Sequence, residues 1–518
     1  MHLKKLRNRL LFLYEINYYY HNINGDNMKK KSIWIDTSNV KNRLIPSLNK
    51  DIECDILIIG GGISGLSTSY FLKDSKKKIV LIDKDKIGYG ATAHNTGKLT
   101  FMQELVYSKI EANYNREVAN RYLDSQIEAI KLITKIIKDN KIECHLEKTS
   151  SYVFSNDELD KEDFDKEISF YRDNNIKVED GNLPFDIPYK LSIKTEDSYV
   201  FNPYEYMVGL KNILKDKIDI YEKTRCIEVD KVEDYYIITT DKGHKIKTKT
   251  VVVSSHYPMF IIPYFTPFKT KVERFFIGAS SIDNYDKLQA ISYNNPSISL
   301  RYYNNDNNYL IYGRRERSVT SHLDVREDLK ELKDEYKKYF NKDIDYFYHT
   351  HDLMSFDNMP LIGKVDSNLY IMTGFNKWGN TNGTIGGKVI SDLIEKKENK
   401  YIGIFNPKRG ISYDKIKNLF IYNIDVGTRY IINKIKSSQS YYDDRVRIEV
   451  INGKKYGIYK DDKNIEHIVS NICPHMKCNL IFNYVDKTWD CPCHGSRFDI
   501  DGNIIYGPSV YNIKIDKE

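Results

Sequence analysis

Asp55-Ile-Leu-Ile-Ile59 runs into Gly60-Gly-Gly-Ile-Ser-Gly65. A helical stretch at 66–72 follows, then a second apolar run, Ile79-Val-Leu-Ile82, which ends at Asp83. The order is strand, glycine turn, helix, strand, acid, as in a dinucleotide-binding βαβ unit. Each glycine of the G-x-G-x-x-G has a task. Gly60 allows the tight turn, Gly62 lets backbone approach a pyrophosphate, and Gly65 lets helix and strand close on each other. Ile63 and Ser64 open the helix, whose unpaired N–H groups and positive dipole end favour phosphate. Asp83 lies 18 residues past Gly65, where a carboxylate accepts hydrogen bonds from an adenosine ribose. A Rossmann-like nucleotide domain is expected, with NAD and FAD both open.

The chain has 518 residues, room for two to four domains at about 100–200 residues each. With 41% hydrophobic and 29% charged residues, the composition is that of an ordinary globular protein. The net charge is +7, but residues 1–31 hold seven Lys/Arg against two Asp/Glu. Subtracting that +5 leaves about +2 elsewhere, too little for a phosphate-tracking surface, so no nucleic-acid partner is expected. No run reaches the roughly 18 apolar residues of a membrane span. The basic start is interrupted by Glu15 and lacks a small-residue cleavage site, so no secretory signal is read there and a cytoplasmic protein is expected. Met28 opens MKKKSIW, and residues 1–27 read either as an upstream extension or as the product of a misplaced start.

Further along, Leu123, Ile127, Ile130, Ile133 and Ile137 mark one apolar face of a helix within 101–140. Residues 145–350 alternate short β-like runs with turns. Leu369-Tyr-Ile-Met372 leads into a glycine-rich segment and a helix at 388–395. The expected layout is an extension, 1–48, partly disordered; an oxidoreductase domain, 49–398; a connector, 399–440; and a C-terminal domain of short strands, 441–518. Within 49–398, nucleotide-binding parts fall at about 52–110, 195–258 and 350–398, and a mainly antiparallel substrate part at about 145–195 and 259–349. The fold class is α/β followed by a small all-β domain.

Three segments give the middle of the chain its resemblance to the D-amino-acid oxidase, glycine oxidase and sarcosine oxidase superfamily. Gly88-Tyr-Gly-Ala-Thr-Ala-His-Asn-Thr-Gly97 resembles the loop that passes pyrophosphate and flavin there. Met359-Pro-Leu-Ile-Gly363 with Thr373-Gly-Phe-Asn-Lys-Trp-Gly-Asn-Thr-Asn-Gly383 resembles the family's C-terminal flavin motif. Val251-Val-Val-Ser-Ser-His-Tyr-Pro258 stands in place of the strand closing the nucleotide domain. The resemblance implies noncovalent FAD near Ala91, Thr92, Asn95, Gly97, Gly374, Gly379 and Thr381, with the adenine near Cys226. Lys377 is read either as a partner of electron-rich flavin or as solvated charge. His256, Tyr257, Arg314 and Arg315 are pocket candidates, the arginine pair as a carboxylate clamp or as surface charge. No second G-x-G-x-x-G follows, which argues for electrons from a small substrate and not from a nicotinamide.

Seven cysteines are unevenly spread, and Cys473, Cys478, Cys491 and Cys493 fall within 21 residues. The pattern is C-x-H, fifteen residues, then C-x-x-H. By residue type it admits a two-iron cluster, a Cys₂His₂ zinc site or a disulfide pair. Cys473-Pro-His475-Met-Lys-Cys478 and Cys491-Pro-Cys493-His494-Gly-Ser496 resemble the Rieske [2Fe-2S] family. That resemblance implies Cys473 and Cys491 on one iron, His475 and His494 on the other, and a disulfide between Cys478 and Cys493. It makes Gly507-Pro508 the loop covering the cluster. Lys477 stands where many relatives have Gly. Phe498 replaces the Tyr of high-potential respiratory members, while Ser496 is kept, so a lower midpoint is expected.

Together the two halves imply an FAD-dependent dehydrogenase of an amine, amino acid or similar small molecule. Its electrons would leave through the cluster to a one-electron protein or quinone-like acceptor. An O₂-using oxidase with an accessory cluster, and an electron-transfer or redox-sensor protein without a metabolite, are the alternatives. A Rieske oxygenase needs a mononuclear iron held by two His and a carboxylate. The remaining close pair, His349 and His351, reads as structural.

Overall fold

The structure, a computed structural model, describes residues 28–257, 269–284, 286–294, 297–318, 325–410 and 444–515. The extension 1–27, the connector from 411 onward and the Arg315 side chain, all subjects of expectations above, lie outside the described residues.

Strand Ile52–Ile59 sits at the centre of an eight-stranded sheet. It pairs in parallel with Ile79–Ile82 on one side and Lys245–Val253 on the other. Residues 56–59 are all buried, as expected of a parallel strand covered on both faces. Helix Ile63–Leu72 packs back on this strand because Gly65 has no side chain: a Cβ there would lie 1.9 Å from the Gly60 carbonyl oxygen. Helix Gly379–Glu395 lies alongside it. A Cβ on Gly387 would come within 2.6 Å of the Thr68 backbone nitrogen. The glycine-rich segment, expected to lead into a helix at 388–395, is therefore itself the first half of that helix.

A nine-stranded sheet forms the second layer. Its pairings are antiparallel, except where Leu288–Ser292 runs parallel to Glu147–Ser155. The expected boundaries at 195 and 350 fall inside its strands Leu191–Val200 and Tyr346–Ser355. Residues 28–48, read as extension, include a built-in segment. Ile33 and Trp34 are fully buried, and the Trp34 indole donates to the Asn95 carbonyl at 2.6 Å. At the other end, the Arg409 guanidinium grips Asp357 through two bonds of 2.7 and 2.9 Å, which ties the start of the connector to the oxidoreductase body.

From Val446 the chain makes a three-stranded and a four-stranded antiparallel sheet around Trp489, Phe482 and Phe498. This all-β module rests on strands Thr270–Ser281 and Tyr346–Ser355. Arg274 reaches Asp490 at 3.2 Å, and His349 reaches Asp486 at 2.6 Å. Arg497 lies between the two carboxylates, 2.7 Å from Asp486 and 3.2 Å from Asp490. Each buried carboxylate thus faces two cationic or donor groups, the arrangement that offsets the several kcal/mol cost of desolvating a charge. His349 and His351 point the same way because alternate residues of a strand share a face.

Candidate functional site

A cavity of about 480 Å³ opens at the carboxyl ends of the parallel strands, where ligands bind in such sheets. Gly60, Gly62, Ile63 and Ser64 form one wall. The helix cap, Gly62, presents no side chain to the first turn; the Ile63 N–H donates to the Thr92 hydroxyl at 3.3 Å, and the positive end of the helix faces the cleft, where it favours an anion. Ala91, Thr92, Asn95 and Cys226 also line the cleft, with Thr92 against the helix start, and Gly379 opens the second helix. The cleft, the glycine turn and the open helix end fit a dinucleotide.

Asp83 is fixed from two sides: one oxygen accepts from the Gly61 N–H at 2.6 Å, the other from the Asp85 N–H at 2.7 Å. Burial pushes its carboxyl up to about 6, against those two bonds and the nearby Lys84. A ribose hydroxyl placed here, as the sequence leads one to expect, would donate to the carboxylate, and binding would then favour the charged form. FAD affinity is therefore expected to weaken as pH falls through about 6 and to plateau above it. Asp83→Asn should bind more weakly and flatten that profile, as measured by equilibrium titration of the FAD-stripped chain.

Not every expected FAD contact reaches the cleft. Gly97 packs on Arg301 and the Phe201 carbonyl instead. Thr381 donates to the Trp378 carbonyl at 3.3 Å, and Gly374 makes a left-handed turn after its strand at φ +70°. Among the pocket candidates, His256, Tyr257 and Lys377 line the cleft. Lys377 is not solvated: it pairs with Glu104, and its side chain is 10% exposed. Arg314 is a correction. It faces helix Val325–Phe340, where it pairs with Glu331 at 2.7 Å, so it clamps no carboxylate in this cleft. The His256 ring is buried with an unpartnered Nε2, and burial pushes it down to about 4, which keeps the imidazole neutral.

At the tip of the all-β module, Cys478 and Cys493 are joined by a disulfide. Cys473 and Cys491 are free and buried, with their sulfurs in mutual hydrogen-bond contact. The N–H groups of His475 and Met476 aim at the first sulfur, those of Cys493 and His494 at the second, and the Ser496 hydroxyl adds to the first. The His475 and His494 rings stand 5.0 Å apart, and the His494 Nδ1 is buried without a partner. Two thiols, two imidazoles and donors converging on sulfur fit a two-iron cluster. The Cys478, Cys491 and Cys493 sulfurs also cluster within 4.8 Å, but the disulfide engages two of them. Lys477 sits at φ +59°, the left-handed region that favours glycine. Phe498 is fully buried in the module's core.

Between the two sites stands His351, which the sequence presents as structural. Arg274 Nε donates to its Nε2 at 3.1 Å, which leaves Nδ1 as the protonated nitrogen facing the Tyr257 hydroxyl at 3.1 Å. Burial, with Arg274 and Arg497 nearby, holds the ring neutral. A Cβ on Gly495, in the second cluster loop, would lie 3.1 Å from the His351 ring. Tyr257 and His351 both line the nucleotide cleft. Tyr257 is a pocket candidate in the sequence, but no local signal marks His351, because its contact with Gly495 joins positions 144 apart.

Comparison with known proteins agrees with this geometry. Residues 55–393 match the model of the FAD dependent oxidoreductase family (DAO). The chain belongs to that family. Residues 432–515 match the Rieske [2Fe-2S] domain, so this oxidoreductase carries an iron–sulfur module as well as FAD. A protein of Bacillus subtilis (strain 168) named as a Rieske 2Fe-2S iron-sulfur protein, YhfW, is 29% identical over 90% of this chain and 94% of its own length. Gamma-glutamylputrescine oxidoreductase of Escherichia coli (strain K12) is 23% identical over 70% of this chain and 88% of its own. Glycine oxidase from Geobacillus kaustophilus shares the fold at a TM-score of 0.59 and 14% identity, covering 70% of this chain and all of its own. No described helix is long and apolar enough to cross a membrane.

Proposed function

We propose that this protein is a cytoplasmic dehydrogenase of an amine, amino acid or similar small molecule. It delivers electrons through its Rieske cluster to a one-electron protein or quinone-like acceptor. Bound FAD supplies two-electron oxidation of a C–H next to nitrogen, and the cluster supplies one-electron transfer. The observation that carries this reading is the packing of the Gly495 loop on His351 and Tyr257, at the wall of the cleft. The roles of Cys473, His475, Cys491 and His494 as cluster ligands, and of the cleft residues as FAD contacts, belong to the same proposal.

The protein's own groups serve the reaction in simple ways. Asp352 lines the cleft beside Lys377, and burial pushes its carboxyl up to about 7, where it can accept a substrate proton at neutral pH. The Lys377–Glu104 pair holds a fixed charge at the same wall. The module's first cluster loop is exposed at His475 and Met476, while the second is covered by the oxidoreductase body. An external acceptor therefore meets the first loop. An anaerobic screen of amines and amino acids supports the proposal if one compound bleaches the flavin absorbance and then raises the cluster's EPR signal. Bleaching by reduced protein partners or nicotinamide alone contradicts it.

A further inference from the structure

The segment 504–509 touches both sites. On one side Gly507, at φ +106°, lies so close to the second cluster loop that a Cβ would stand 2.4 Å from the Ser496 Cα and 2.8 Å from the Gly495 carbonyl oxygen. The Ser509 N–H donates to the Ser496 hydroxyl at 3.1 Å. On the other side Ile504, Ile505, Tyr506, Gly507 and Ser509 line the nucleotide cleft. The Tyr506 ring lies 5.4 Å from Tyr257 and 5.2 Å from His351, and its hydroxyl donates to the His351 carbonyl at 3.2 Å.

The neighbouring contacts fall at the adenosine end of the same cleft. Lys84, next to the ribose carboxylate Asp83, donates to the Ile505 carbonyl. Arg225, next to Cys226, donates to the Val510 carbonyl at 3.1 Å and to Asn512 at 3.2 Å. The oxidoreductase body thus leaves the cleft open on one side, and the iron–sulfur module covers that side.

We propose that the Rieske module completes the FAD site, with residues 504–509 as one wall common to both cofactors. The inference rests on the cleft being the FAD site, a point that FAD titration of the wild-type chain tests separately. Two consequences follow from linkage. FAD retention depends on the module, and FAD occupancy is felt at the cluster loop by the same free energy. The proposal stands whether or not the cluster passes electrons to an outside acceptor.

The test uses the full-length holoprotein. Tyr506→Ala removes the ring from the wall, and Tyr506→Phe keeps it. FAD release, followed by the rise of free-flavin fluorescence after dilution, should be faster by about tenfold in Tyr506→Ala, the scale of one lost buried ring contact, and close to wild type in Tyr506→Phe. Cluster content, from iron and labile sulfide, should be unchanged in both. Hydrogen exchange of the wild-type chain supplies a readout that needs no variant: peptides spanning 500–512 should gain protection when FAD is added back to stripped protein. Unchanged FAD release in Tyr506→Ala with an intact cluster, or no added protection in that segment, overturns the proposal.

Discussion

Cys491→Ser is expected to yield a chain that binds FAD and is reduced by substrate, yet shows no [2Fe-2S] EPR signal. Its transfer of electrons to an external acceptor should fall by more than about 100-fold, beyond the 10–100-fold typical of losing an outer-shell partner. The reason lies in the donor set. Cys473 and Cys491 are the two free thiols of the box, and Cys478 and Cys493 are tied together by the disulfide. No spare thiolate stands ready to replace Cys491. The other walls of the nucleotide cleft are glycine turns and strands of the oxidoreductase body, and the variant keeps the module's own wall at 504–509 together with Gly495, His351 and Tyr257. Flavin content and the rate of substrate bleaching should therefore stay near wild type. Loss of both activities together would mean that the cluster site holds the oxidoreductase body in shape.

Gly65→Ala should have an effect of similar size at the other site. The added methyl would lie 1.9 Å from the Gly60 carbonyl oxygen and 2.8 Å from the Ser254 hydroxyl. The first obstacle is backbone, so the helix must move away from the strand that aims its N-terminus. A displacement of about 1 Å at such a positioning element costs on the order of 100-fold. FAD should be lost from the purified variant while iron and sulfide remain at wild-type content, as absorbance and metal analysis will show. The same substitution at Gly403, which lies outside the cleft lining and where a Cβ meets nothing within 4 Å, should be tolerated sterically and serves as the control.

The parts legible in the sequence are those encoded locally. Gly60 to Asp83 carries its own strand, turn and helix periods within about one βαβ unit, and the structure reproduces it. The two Cys/His boxes are short loops whose spacing reflects their chemistry. What escaped reading depends on distant partners. The stretch 379–387 reads as a glycine-rich lead-in to a helix at 388–395, since glycine is a poor helix former, yet it is helical, and its glycines let that helix lie against Ile63–Leu72. Arg314 looks like half of a clamp, but strand alternation turns it toward a helix with Glu331 and Glu335. His351 looks idle until the iron–sulfur module, whose cluster loop begins 140 residues later, docks beside it. Trp34 lies in a segment that reads as a tail and is held by a long-range bond to Asn95.

The central claim is that the cleft and the cluster are close enough to exchange electrons within one molecule. The most direct measurement is anaerobic photoreduction of the bound flavin, followed by rapid freezing and EPR of the cluster at several protein concentrations. The account predicts a reduced-cluster signal that grows as the flavin signal decays, at a rate independent of concentration. A cluster that stays oxidised while the flavin is fully reduced, or one whose reduction slows in proportion to dilution, would contradict it.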